Sequence, residues 1–126
     1  MKKLKIILGI LIAIIILMSL NPLRRSPEHI RERMLKITPA GTDKAIVIKT
    51  IEDKNWYWHE SIKGRGYDLN AAYSPTGKGG VIGDHYIISC IGEYPSPFIT
   101  SVVVNWVFDA DSKLIDVFIE KQTDAL

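Results

Sequence analysis

The chain opens on an uninterrupted apolar run. Ile6 to Leu20 reads IILGILIAIIILMSL, in which only Gly9 and Ser19 are not strongly apolar. Lys2, Lys3 and Lys5 precede it, and no further charge occurs before Arg24. The uncharged stretch Ile6–Leu23 is 18 residues long. As one helix it reaches roughly 27 Å at about 1.5 Å per residue, near the ~30 Å of a hydrocarbon core, and Lys5 and Arg24 can snorkel at its ends. The pattern predicts a single-pass N-terminal transmembrane helix within residues 1–23, with the membrane as partner of residues 6–23. Leu17 to Leu23 offers no small-x-small pair, which argues against a cleaved signal peptide. The short tribasic tail favours a cytoplasmic N-terminus and residues 24–126 on the extracytoplasmic side of the cell membrane. Arg24, Arg25, Arg31, Arg33 and Lys36 on the far side bring the positive-inside count close to even.

Beyond the spacer Asn21–Pro27 the period becomes helical. Ser26 reads as an N-cap, Pro27 as the first helical position and Glu28 as a first-turn acid. Ile30, Met34 and Ile37 form one apolar stripe, with Arg31, Glu32, Arg33 and Lys36 toward water. Pro39 and Gly41 end this helix. Thr42 or Asp43 caps a second helix running to about Lys54, with Val47 and Ile51 on its inner face. From Trp56 the period is two. Strands are predicted over Trp56–Ile62, within Val81–Glu93, over Thr100–Asp109 and over Leu114–Lys121, with a Gly- and Pro-bearing loop at Gly64–Gly80 and a turn at Pro95 and Pro97. In the third strand Val102, Val104, Trp106 and Phe108 share one face, and Ser101, Val103, Asn105 and Val107 the other. Helices followed by consecutive short-turned strands define an α+β domain: two short helices on one face of a three- to four-stranded antiparallel meander.

Composition narrows the function classes. The 16 Lys+Arg and 14 Asp+Glu give a net charge of +2, and setting aside the three leader lysines leaves residues 24–126 at −1. No strong positive field remains for phosphates, so no nucleic-acid partner is expected. A single cysteine excludes an internal disulfide and any CxxC pair.

Order and motifs together resemble a known group. Helix, helix and meander, with Ala40–Asp43 opening the second helix and Phe108–Ile115 closing a hairpin, are similar to the small envelope domains of the SmpA/OmlA type, which share a fold with β-lactamase inhibitor protein. The similarity spans roughly residues 27–121 in pattern. It implies a protein-binding domain without enzymatic activity. Outer-membrane members carry a lipobox cysteine where this chain has an apolar leader, which points to the cytoplasmic membrane. No functional residue carries over.

Candidate chemistry is sparse. Asp84–His85 and His59–Glu60 look like acid–base pairs, yet strand neighbours point to opposite faces, so neither pair is expected to bond locally, and the histidines read as solvated or edge residues. Cys90, between Ser89 and Ile91, reads as a buried small hydrophobe. Ser74–Gly80 has a Gly-Lys pair but lacks the upstream glycine and the following Ser or Thr of a phosphate loop. Asp109, Asp111 and Glu120 mimic a calcium loop, but Lys113 and Leu114 stand where a ligand and a glycine belong. No catalytic residue, metal or cofactor is therefore expected. The aromatic residues remain: Trp56, Tyr57, Trp58, Tyr67, Tyr73, Tyr86, Tyr94 and Trp106. A sheet with helices on one face leaves some of them on the other. Trp56, Trp58, Tyr67, Tyr86 and Tyr94, ringed by Lys63, Asp68, Asp84 and Glu93, are the expected protein-binding residues. The expected function is a membrane-tethered, non-catalytic binding or accessory module. The alternatives are an inhibitor or immunity-type protein acting through its sheet face, and a small hydrolase using His59 or His85.

Overall fold

The computed structural model describes residues 1–69, 80–96 and 98–123. Helix α1 spans Lys2–Ser19, a 3₁₀ turn Pro22–Arg24, α2 Pro27–Ile37 and α3 Lys44–Asp53. The strands are β1 (Tyr57–Glu60), β2 (Tyr67–Asp68), β3 (Val81–Ile82), β4 (His85–Ser96), β5 (Phe98–Phe108) and β6 (Leu114–Thr123). Four of them make one antiparallel sheet in the order β1-β4-β5-β6, and β2 pairs with β3 as a separate ribbon. This is the α+β meander that the residue pattern predicts, with the ribbon added.

The leader differs from its expectation. The helix stops at Ser19, because Asn21 precedes a proline and turns to cap the 3₁₀ turn, its side chain accepting from the Leu23 N–H at 3.0 Å. The apolar helical part, Ile6–Ser19, is therefore only about 21 Å long at ~1.5 Å per residue. No described helix is long and apolar enough to cross a membrane. The spacer also lies on the sheet. Leu23 packs against the main core, where a Cβ added at Gly92 would stand 2.5 Å from Leu23 Cδ1.

Local signals build α2 as expected: the Ser26 hydroxyl accepts from the His29 N–H and Pro27 opens the helix. Its buried stripe is Ile30, Met34 and Thr38, whereas Ile37 is exposed. A polar residue takes the inner position because the buried indole of Trp106 donates to the Thr38 hydroxyl at 3.2 Å, and that hydroxyl donates to the Met34 carbonyl at 2.8 Å. Arg31 does not face water alone. Its guanidinium holds both Asp116 oxygens at 2.7 and 2.8 Å and donates to the Val117 carbonyl, so it covers part of the free edge of β6. Val47 and Ile51 of α3 are fully buried.

The core between helices and sheet contains Ile30, Met34, Val47, Ile51, Ile87, Val102, Val104, Trp106, Phe108, Leu114, Val117 and Ile119. Its strand residues alternate as the period of two requires. On the opposite face Val107 and Phe118 are also buried, beneath Tyr67 of the ribbon. Gly83, at φ +77, lets the chain pass from ribbon to β4, since a Cβ there would meet Val107 Cγ1 at 2.4 Å.

Assignment of the inner face of α3 can be tested by paired substitutions. Ile51→Ala, at a site with no exposure, is expected to cost about 2–5 kcal/mol in urea unfolding of the detergent-solubilised chain. Ile46→Ala, at a site 53% exposed, should change stability by about 0.5 kcal/mol or less. Equal effects would mean that α3 is rotated from the face described.

Candidate functional site

Among the described residues, the side of the sheet away from the helices is covered over only part of its area. Tyr67 fixes that cover. Its ring stacks on Phe118 at 5.2 Å and meets Tyr86 edge-on at 5.2 Å, while its hydroxyl donates to Glu120 Oε1 at 2.7 Å. Burial first, then the hydrogen bond to Glu120 and that carboxylate's charge, push the Tyr67 phenol well above the ordinary tyrosine range. The Leu69 N–H bonds the Gly80 carbonyl, extending the ribbon by one step.

Beside the ribbon lies a groove of about 450 Å³. Sheet register explains its lining. Tyr57, Cys90, Val103 and Glu120 stand side by side across the four strands, and His59, Ile88, Asn105 and Phe118 form the adjacent row. Ile88 and Val103 make an apolar floor, Tyr57, Tyr67 and Tyr86 supply aromatic walls, and His59, Asp68, Asn105, Glu120 and Gln122 provide polar groups. Among the described residues, two carboxylates and no lysine or arginine line it. Aromatic walls, an apolar floor and scattered polar groups suit an extended chain segment, with carbonyl- or ammonium-bearing groups meeting the rim.

The five expected binding residues divide between faces. Tyr67 and Tyr86 line the groove. Trp56, Trp58 and Tyr94 lie on the helix side, half-buried against the main core. Parity places the two tryptophans there: Trp58 is paired with Ser89, which is buried and donates to the Tyr57 carbonyl at 2.8 Å. Tyr94 arrives by another route. A bulge at Ile91 lets Cys90 pair with Val103 and Gly92 with Val102, so every later residue of β4 changes face. Tyr94 then sits between Arg24 and Lys121, each 5.0 Å from its ring centre. Of the expected rim, Asp68 reaches the groove, Asp84 lies at His85, and Glu93 accepts from the Ser101 hydroxyl at 3.2 Å. Lys63 sits in an exposed turn. Tyr73 and residues 74–79 lie outside the described residues.

Two expectations about reactive side chains are corrected. Cys90 is exposed and lines the groove, because Ile87 and Ser89 take the inner positions of β4. His85 is neither solvated nor unpaired with its neighbour: it has no exposure, and Asp84 Oδ2 lies 2.8 Å from its Nδ1. Asp84 precedes the strand, so strand alternation does not constrain it. The His85 ring stacks on Phe108 at 5.5 Å. Among the described residues its Nε2 has no hydrogen-bond partner, and it lies 3.8 Å from Glu60 Oε1, which Lys44 also holds. His59 is exposed on the groove side, so the structure does not bring His59 and His85 together. Among the described residues no group of His, Cys, Asp or Glu is placed to hold a metal ion.

Sequence reasoning missed Tyr57, His59, Cys90, Asn105, Glu120 and Gln122 as groove residues. The alternation through Val102–Phe108 carried the signal, since it assigns Val103 and Asn105 to the side opposite the helices. No family model, curated protein or solved structure matches the chain.

The Tyr67–Glu120 bond predicts a pH dependence with a defined sign. Below the ordinary tyrosine value of 10.0 the bond contributes in full. Above it the unfolded chain ionises Tyr67 while the folded chain keeps it neutral, so stability falls as pH rises. Tyr67→Phe should lose about 1 kcal/mol near neutrality and show a shallower decline above about pH 10 in urea unfolding. Identical slopes for the two proteins would refute the buried, bonded phenol.

Proposed function

We propose that this chain is a membrane-tethered, non-catalytic binding module whose groove takes an extended segment of a partner protein on the extracytoplasmic side of the cell membrane. The observation that carries the reading is the half-covered sheet face, where Tyr57, Tyr67 and Tyr86 border an apolar floor. Tyr57 is exposed, Tyr86 half-buried and Tyr67 buried, and tyrosines around a concave apolar strip are a usual composition of a recognition surface. The resemblance to SmpA/OmlA-type envelope domains supports the same reading.

The tether rests on α1. Its side chains from Ile6 to Leu17 are exposed on every side of the helix. A helix apolar all round has no polar face to keep in water, which favours insertion over lying flat at the interface. The shortfall against hydrocarbon thickness is met by snorkelling of Lys2, Lys3 and Lys5 and by local thinning, at fractions of a kcal/mol per Å.

Both parts can be checked in cells. A benzophenone side chain at position 57, where the native ring is 80% exposed, should trap one specific membrane or secreted protein, and adding Gln122→Arg should reduce the yield severalfold. Repeated recovery of the bare protein would reject the binding reading. Ile10→Lys with Ile14→Lys places two charges in the apolar helix, each opposing insertion by about 2.5–3.5 kcal/mol. The double variant should move from the membrane pellet to the supernatant. Wild-type chain in the supernatant without detergent would reject the tether.

A further inference from the structure

The end of the sheet nearest the leader carries a second apolar feature. Leu23 seats on Gly92, Arg24 donates to the Pro95 carbonyl at 2.6 Å, and Lys121 donates to the Arg25 carbonyl at 2.6 Å and to the Tyr94 hydroxyl at 3.0 Å. The leader therefore leaves the domain beside the β4–β5 hairpin, with Leu20 at its exit 63% exposed. That hairpin continues past the clamp: Ser96, paired with Phe98, lies two residues beyond Tyr94, or about 7 Å at ~3.4 Å per residue. Phe98 is 43% and Ile99 52% exposed there. The Arg24 and Lys121 side chains gather at Tyr94 on the helix side of the same corner, the exposed Arg25 follows in the chain with its carbonyl on Lys121, and Glu93 points to the groove side.

We propose that the tip of the β4–β5 hairpin is a second membrane contact, Phe98 and Ile99 entering the headgroup–acyl boundary while Arg24, Arg25 and Lys121 face anionic headgroups. It rests on the tether reading, because a leader seated in lipid holds this corner at the bilayer surface. Continuity with the leader and the sign of the charge select the lipid surface as occupant. Buried apolar area and attraction to anionic lipid act together in such contacts.

The test uses the full chain with an environment-sensitive nitrobenzoxadiazole label. Cys90→Ser removes the single native thiol. The label is attached to Phe98→Cys in one protein and, as a control, to Ile62→Cys in another, on the loop after β1 at the opposite end of the sheet. Each protein is reconstituted into phosphatidylcholine–phosphatidylglycerol vesicles with lipids spin-labelled near the headgroup. The expected result is co-flotation of both proteins, with blue-shifted emission and severalfold stronger quenching at position 98 than at 62, weakened by Arg25→Glu. Co-flotation with equal, weak quenching at both positions overturns the second contact and leaves the tether standing. Failure to float overturns the tether and the contact with it. A blue shift at 98 that grows with protein concentration without vesicles assigns the tip to self-association and overturns the lipid assignment.

Discussion

Strand β5 is buried without a break from Val102 to Phe108, and the rest of the domain is arranged to keep it so. An antiparallel sheet commonly leaves one face to water. Here α2 and α3 cover Val102, Val104, Trp106 and Phe108, and something else has to cover the alternate residues. The β2–β3 ribbon meets that need over Val107 and Phe118, with Tyr67 as its contact. Farther along, no described residue lids Val103 in the same way, and its neighbours Tyr57, Cys90 and Glu120 line the groove. Among the described residues, the groove is thus the part of a two-sided core that the ribbon strands do not reach.

The same burial explains the polar residues on the interior. Asn105 donates to the Phe118 carbonyl at 3.4 Å, Thr100 bonds Thr123 at 2.9 Å, and Thr38 serves both Trp106 and Met34. An unpaired buried polar group costs about 1–3 kcal/mol, which gives each of these pairings its weight. His85 departs from the pattern at one atom, with Nε2 unpartnered beside Glu60. Its cluster joins the start of α3, the end of β1 and the first residue of β4 through Lys44, Glu60 and Asp84. α3 and β1 are consecutive in the chain and β4 follows later, so the cluster adds a polar tie among three elements to the apolar contacts that Val47 and Ile51 make with the core.

Residue order made much of this architecture legible. Ser26 and Pro27 mark the start of α2, Val47 and Ile51 the inner face of α3, and alternation along β5 and β6 their pairing. Three features escaped because each breaks a period. The bulge at Ile91 reverses the side on which Tyr94 lies, and Gly92 is its only local mark. Thr38 takes an inner position that periodicity assigns to Ile37, because a buried indole needs an acceptor. The ribbon strands are two residues each, too short to show any period, yet Tyr67 on one of them organises the groove. For the site itself, residue type could not place the aromatics on one face, since a face is a property of register: Tyr67 and Tyr86 line the groove, and Trp56, Trp58 and Tyr94 lie on the helix side.

The bulge links these features. Without the extra residue at Ile91, Tyr94 would follow Tyr86, Ile88 and Cys90 onto the groove side, away from Arg24 and Lys121. One inserted residue therefore leaves the groove free of a fourth ring and supplies the platform on which the leader is clamped. It also sets a distance. Val103, at the groove centre, is five residues along β5 from Phe98 at the hairpin tip, at most about 17 Å at ~3.4 Å per residue. On the proposed membrane contact, a partner segment in the groove would lie within that height of the bilayer. On that reading a juxtamembrane stretch of another membrane protein would reach the groove without a long linker, and the short clamped connection between leader and domain would favour partners held in the same membrane over freely diffusing ones.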